Sequence, residues 1–204
     1  MLTLPLLRKM LNRAGTELKA NSKYLCELDS VAGDGDHGIT IGRMADVMKE
    51  KTEDTTIDTM RVLLDELGDA FMGINGGSAG PLWGTVFTGM AEGIDDQAEL
   101  TDLELRKMFT QAKEDFMDIS KAKPGDKTMV DALYPAIDAI IETQGSLKEI
   151  MTAAAAAADA GAEQTSTMVA RFGRAKNMGE RSIGTKDPGA VSIAILFNGM
   201  AQDL

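Results

Sequence analysis

The chain has 204 residues and a formal net charge of −11 at pH 7. That length suits one domain, residues 1–204, with a core large enough to need no staple, and the acidity excludes the basic footprint of a nucleic-acid binder. Aromatic residues are only 4% of the chain while Ala, Leu and 14 Met are prominent, a mix that favours helices over sheets.

The opening stretch MLTLPLLRKMLNR places apolar residues before basic ones, the reverse of a secretory signal, and reads as the first turns of a helix from Pro5 to Cys26. A second helix starts near His37 and ends in Lys49-Glu50-Lys51. A third spans Asp58 to Met72, with Met60, Leu63, Leu64, Leu67 and Phe71 on one stripe. A fourth starts near Ser78. A fifth starts at Thr101, where Thr101 and Glu104 have the spacing of a capping box. The sixth follows Pro124-Gly125 and carries Lys127 and Thr128 in its first turn. The seventh contains the run Ala153 to Ala158 and reaches Phe172; the eighth runs from Pro188 onward. No apolar run approaches a membrane span. The single Cys26 cannot form an internal disulfide, so a reducing, cytoplasmic setting is expected.

Eight helices joined by short connections predict an all-α, up-down antiparallel bundle or barrel. The exception is the polar stretch Gly173 to Gly189, which has the character of a lid or binding loop. Four unusual segments precede the even-numbered helices: GDGDHG (33–38), GGSAG (76–80), PGDKT (124–128) and KDPGA (186–190). In an up-down bundle every even-numbered helix starts at the same end, so topology alone predicts that these four segments meet in one site.

Their chemistry suits a phosphorylated ligand and a cation. Asp29, Asp34 and Asp36 are hard oxygen ligands on a glycine-bearing turn. Crowded carboxylates repel unless a cation neutralises them, and Mg2+ favours a few carboxylates completed by phosphate oxygens. The other reading is that Asp34 and Asp36 cap the second helix. His37 is open to the roles of base, metal ligand or packed ring. GGSAG offers backbone N–H groups and the Ser78 hydroxyl at a helix start, as a phosphate needs, or else is a turn with a Ser cap. Lys127 faces either a phosphate or a surface partner such as Asp126 or Asp131. Arg171, Arg174, Lys176, Arg181 and Lys186 place cations near the acidic loop, where they shield phosphates or pair with residues such as Glu180. The G-x4-G-K-[ST] phosphate loop is missing, which excludes a conventional P-loop fold.

Taken together, LDSVAGDGDHG (28–38), GGSAGPLWGT (76–85), KPGDKTMVDAL (123–133) and GRAKNMGERSIGTKDPGA (173–190) resemble the nucleotide-binding L subunits of dihydroxyacetone kinases. The resemblance covers essentially the whole chain, in the same order. It implies a barrel of eight antiparallel helices with ADP or ATP at one end. It also implies two Mg2+ ions on Asp29, Asp34 and Asp36, and nucleotide contacts from His37, Gly38, Ile39, Thr40, Ser78 and Ala79. Ser120 would lie near the nucleotide, Met129 would pack on the adenine, Arg174 would contact the nucleotide, and Asp187, Pro188 and Gly189 would close over it. Two positions depart from the family pattern: Ser120, where a Gly is common, and Ile39-Thr40, where Asn is common. The resemblance places the sugar on a separate K subunit, so no catalytic residue is expected here. An isolated L chain further implies a bound ADP cofactor, rephosphorylated by a multiphosphoryl M subunit. The alternatives are a paralogue serving another short ketose, such as erythrulose, and an ADP-loaded regulator that binds a transcription factor.

Overall fold

The structure is a computed structural model and describes residues 1–202 and Leu204. Among them nine α-helices follow in order: α1 (Leu4–Ala20), α2 (Ser22–Asp29), α3 (His37–Glu53), α4 (Met60–Met72), α5 (Ala79–Glu92), α6 (Asp102–Ile119), α7 (Val130–Glu142), α8 (Leu147–Gln164) and α9 (Pro188–Ala201). Leaving aside the short α2, each helix packs on the next in the chain, and α9 returns to α1, closing a ring. The all-α, up-down barrel expected from the helix pattern is the fold observed. Its core is filled by Trp83, Phe71, Phe87, Phe109, Phe116 and Phe197 together with aliphatic and Met side chains. Phe71 meets Phe87 edge to face at 5.0 Å and Trp83 at 6.4 Å, geometries that suit the ring quadrupoles. No helix among the described residues is long and apolar enough to cross a membrane.

The first predicted helix is two helices. Asn21 breaks it at φ −94°, ψ 5°, with its side-chain amide donating to the Glu17 carbonyl at 2.9 Å, a local bond that competes with helix continuation. The break lets α2 pack on α3 and α9 and deliver Asp29 to the end of the barrel. The seventh predicted helix ends at Gln164 rather than Phe172. The hydroxyls of Thr165, Ser166 and Thr167 each donate to the carbonyl three residues back, at 2.6, 2.7 and 2.9 Å, and the chain tightens into a 3-10 turn. The polar stretch after it is partly ordered as a 3-10 segment, Arg174–Ser182, interrupted at Gly179. The sequence pattern also missed a two-residue antiparallel pair, β1 (Leu2–Thr3) with β2 (Glu99–Leu100), too short to show alternation.

At the end of the barrel where α4, α6 and α8 begin, the chain closes on itself. The Thr101/Glu104 capping box is present at α6, and a second joins Ser146 and Glu149 at α8. Thr59 caps α4 by accepting from Val62 N at 3.2 Å. Two arginines cover the helices that finish there. Arg8 donates to the carbonyls of Thr52, in the last turn of α3, and of Asp54 and Ile57 beyond it. Arg106 donates to those of Ile140, Ile141 and Thr143 at the C-terminal end of α7.

Candidate functional site

The opposite end carries a cavity of about 620 Å³. All four unusual segments reach its wall: Asp29, Gly33, Asp36 and His37; Gly76 to Ala79; Lys127 to Met129; and Lys186 to Gly189. The convergence expected from topology is therefore realised.

The acidic loop resolves the choice between ligand and cap in an unforeseen way. Asp36 occupies the N-cap of α3 but its side chain makes no cap bond. Asp29, from the end of α2, supplies that bond: its Oδ2 accepts from Asp36 N at 3.0 Å and His37 N at 3.3 Å. Asp34 and Asp36 are thus not spent on capping. One oxygen from each of Asp29, Asp34 and Asp36 lies within 4.8 Å of the others. Three hard oxygens this close suit a divalent cation such as Mg2+. Asp34 meanwhile forms an ion pair with Arg174 of the 3-10 segment.

Helix geometry separates the four residues that open α3. His37 faces the cavity, and its Nε2 lies 3.2 Å from Ser192 Oγ, which donates to the Gly189 carbonyl at 2.8 Å. Burial holds its pKa below the usual value, against the opposing pull of Asp29, so the ring ties α3 to α9 as a neutral group. Gly38 turns onto α2, where a Cβ would lie 1.8 Å from the Ser22 carbonyl oxygen. Ile39 is 53% exposed and Thr40 is buried behind Gly76, whose missing Cβ makes the room. The run 37–40 therefore does not line the wall as a block. The resemblance implied nucleotide contacts for all four, yet a 100° turn per residue sends only His37 inward.

Ser78 is the N-cap of α5 and makes no side-chain cap bond, and Ala79 begins the helix. Met129 and Ser120 also line the wall, with Ser120 Oγ accepting from Ala122 N at 3.3 Å. Asp187 caps α9 by accepting from Ala190 N at 2.8 Å. Burial pushes its carboxyl up to about 7.

Lys127 does not begin a helix, and its ammonium is turned to backbone carbonyls and not to a surface carboxylate. It sits before α7 with φ +60°, in the left-handed region, and is 4% exposed. Its ammonium donates to the carbonyls of Thr165, at 2.7 Å, and Thr185. Burial lowers its pKa, with Asp187 pulling the other way. Asp131 is engaged by the loop backbone instead, accepting from Gly125 N and from Thr128 N at 2.8 Å. Asp126 pairs with Arg171 at 3.5 Å. Lys186 pairs with Glu163. The lysine is a strut under the lid, a role invisible in a short motif because both its partners are remote.

Much of the remaining wall is apolar, from Leu28, Trp83, Phe116, Ile119 and Phe172, none of which stood out as a site residue in the sequence. Leu28, Trp83, Phe116 and Ile119 lie on ordinary helix stripes and Phe172 on the loop before the 3-10 segment, and only ring closure turns them toward the cavity. Together these features define a helical barrel whose one open end presents carboxylates, helix starts and an apolar slot to a phosphorylated ligand.

The chain belongs to the DAK2-domain family, whose model matches residues 31–202. It is 35% identical over 94% of its length to the "PEP-dependent dihydroxyacetone kinase, ADP-binding subunit DhaL" of Escherichia coli, covering 92% of that protein. It is 36% identical to the L-erythrulose kinase of Pectobacterium atrosepticum, of which it spans 34%. The dihydroxyacetone kinase of C. freundii in complex with AMP-PNP and Mg2+ superposes with a TM-score of 0.73 at 27% identity. That match covers 98% of this chain and 34% of the kinase.

Proposed function

We propose that residues 1–204 form the Mg-ADP/ATP-binding subunit of a kinase for a short ketose, holding the nucleotide as a phosphoryl relay. The observation that carries this reading is the meeting, at one cavity, of a three-carboxylate cluster, two of whose members line the wall, with helix starts that lack their own caps. A bare nucleotide would be repelled by Asp29, Asp34 and Asp36, so binding requires a divalent cation. Those residues would hold two Mg2+ ions, which when bound neutralise phosphate charge. The open N–H groups around Ser78 and Ala79 would cap phosphate oxygens. Met129, Ser120 and Asp187-Pro188-Gly189 would flank the base, with His37 on the floor, Gly38, Ile39 and Thr40 holding the α3 turn behind it, and Arg174 reaching the phosphates.

The chain supplies position and charge, the main needs of phosphoryl transfer, and no nucleophile. His37 has its Nε2 engaged with Ser192, which suits a ring that joins α3 to α9. The sugar would sit on a K subunit, with a multiphosphoryl M subunit recharging the ADP, all in the cytoplasm. The similar relatives include kinases of both dihydroxyacetone and erythrulose, so either ketose is consistent with this chain. The test is to purify the protein, denature it and assay released nucleotide and Mg2+. Stoichiometric ADP is the expected result; failure to bind any adenine nucleotide with Mg2+ overturns the reading.

A further inference from the structure

We infer that Arg174 is a latch that competes with the divalent cation: its guanidinium holds Asp34 until a cation claims that carboxylate, and is thereby released toward the phosphates. The inference rests on the nucleotide reading above and adds an order of events to it. Asp34 belongs to the acidic cluster, yet its carboxylate is the one paired with a lid cation. The two side chains are 56% and 50% exposed, so parting them costs little. A guanidinium matches carboxylate and phosphate equally well, so it can exchange one for the other.

The lid is built for such an exchange. Its base is anchored: Arg171 N donates to Asp126 O at 3.1 Å, Ala170 N to Ser182 Oγ at 2.9 Å, and Gly184 N to Ser166 O at 2.7 Å. Lys127 fastens Thr185 to Thr165 from below. Between these anchors the arc from Arg174 to Arg181 is largely exposed and is bounded by left-handed glycines at 173 and 184. Its ion pair to the acidic loop is Arg174 to Asp34. Cation binding alone should then loosen the arc, and cation plus nucleotide should draw it down.

The experiment titrates Mn2+ without nucleotide, read by electron paramagnetic resonance, into wild type, Arg174→Gln and Arg181→Gln. Arg174→Gln should bind Mn2+ about two- to fivefold more tightly, the worth of an exposed ion pair, while its affinity for Mg-ADP falls. Arg181→Gln, which removes the same charge from the same arc, should leave Mn2+ affinity near wild type. Equal gains in both variants, no gain in Arg174→Gln, or no Mn2+ binding in any overturns the latch. Chymotrypsin cleavage after Phe172 gives a second readout: faster with Mn2+ alone and slower with Mn2+ plus ADP in wild type, with the first effect lost in Arg174→Gln. Protection by Mn2+ alone would overturn the proposal. Retained Mg-ADP binding by wild type shows that the nucleotide reading survives such a failure.

Discussion

The two ends of this barrel are made of the same helices and solve the same problem in opposite ways. Every helix end leaves backbone groups without intrahelical partners. At the far end the chain supplies the partners itself, through Thr59, the Thr101/Glu104 and Ser146/Glu149 boxes, and the guanidinium groups of Arg8 and Arg106. At the cavity end α3, α5 and α7 receive no side-chain cap from their own N-cap residues. α3 borrows Asp29, α7 leans on Thr128, and α5 takes neither. α9 is capped by its own Asp187, so the difference teaches that the start of α5 in particular is left for a ligand to finish. Four helix dipoles point their positive ends there, and three carboxylates hold the countercharge.

If that division is right, substitutions at the two ends should separate binding from stability. The largest effect is expected from Asp34→Ala and Asp36→Ala. Each should weaken Mg-ADP binding by roughly 100-fold or more, erasing about 2.7 kcal/mol of ligand-linked stabilisation at saturating nucleotide. Without nucleotide their melting temperatures should match or exceed wild type, because like-charge repulsion is relieved. Calorimetry and thermal melts with and without Mg-ADP decide this, and retained binding in both variants would remove the metal assignment.

At the far end Arg106→Ala should cost about 2–3 kcal/mol of stability, since it strips charged donors from three carbonyls. Nucleotide affinity should stay within twofold, roughly the ordinary spread for a distant surface substitution. A matching loss of affinity would show that the ends are not independent.

A smaller effect concerns pH. Asp187 has its carboxyl pushed up to about 7 by burial, so the folded state binds a proton that the unfolded state has already released. Its contribution to stability must therefore fall as pH rises from about 4 to about 7, and then level off. In urea melts across that window wild type should lose stability as pH rises, and Asp187→Asn should not. The Asn variant keeps a good cap and loses the slope. Parallel curves would place Asp187 in water.

The finest comparison pits one serine against another. Ser146→Ala should cost about 1 kcal/mol because it breaks a working cap. Ser78→Ala should cost only a few tenths, because Ser78 caps nothing, while lowering affinity for Mg-ADP. Equal costs in thermal melts would erase the contrast between the ends.

Much of this was legible before any coordinates. Leu105, Met108, Phe109, Ala112 and Phe116 announce α6 by spacing alone, and Thr101 with Glu104 announces its start, because both signals act within a few residues. The four glycine- and aspartate-rich segments are likewise local, and alternation of helix direction brings them together without any knowledge of packing.

Where the sequence misled, the deciding partner was distant or shared. Lys127 resembles a phosphate ligand, but its ammonium is claimed by carbonyls 38 and 58 residues away. Asp36 resembles a cap, but Asp29 performs that task from another helix. By itself the sequence determined the all-helical barrel, its open end and the aspartates there, since periodicity and turn chemistry are properties of short segments. Tertiary structure alone decided which aspartate caps and which stay available for a cation, and which residue of 37–40 turns inward. It also decided that a lysine would be a strut, because such choices depend on which groups compete for the same hydrogen bonds once the ring has closed.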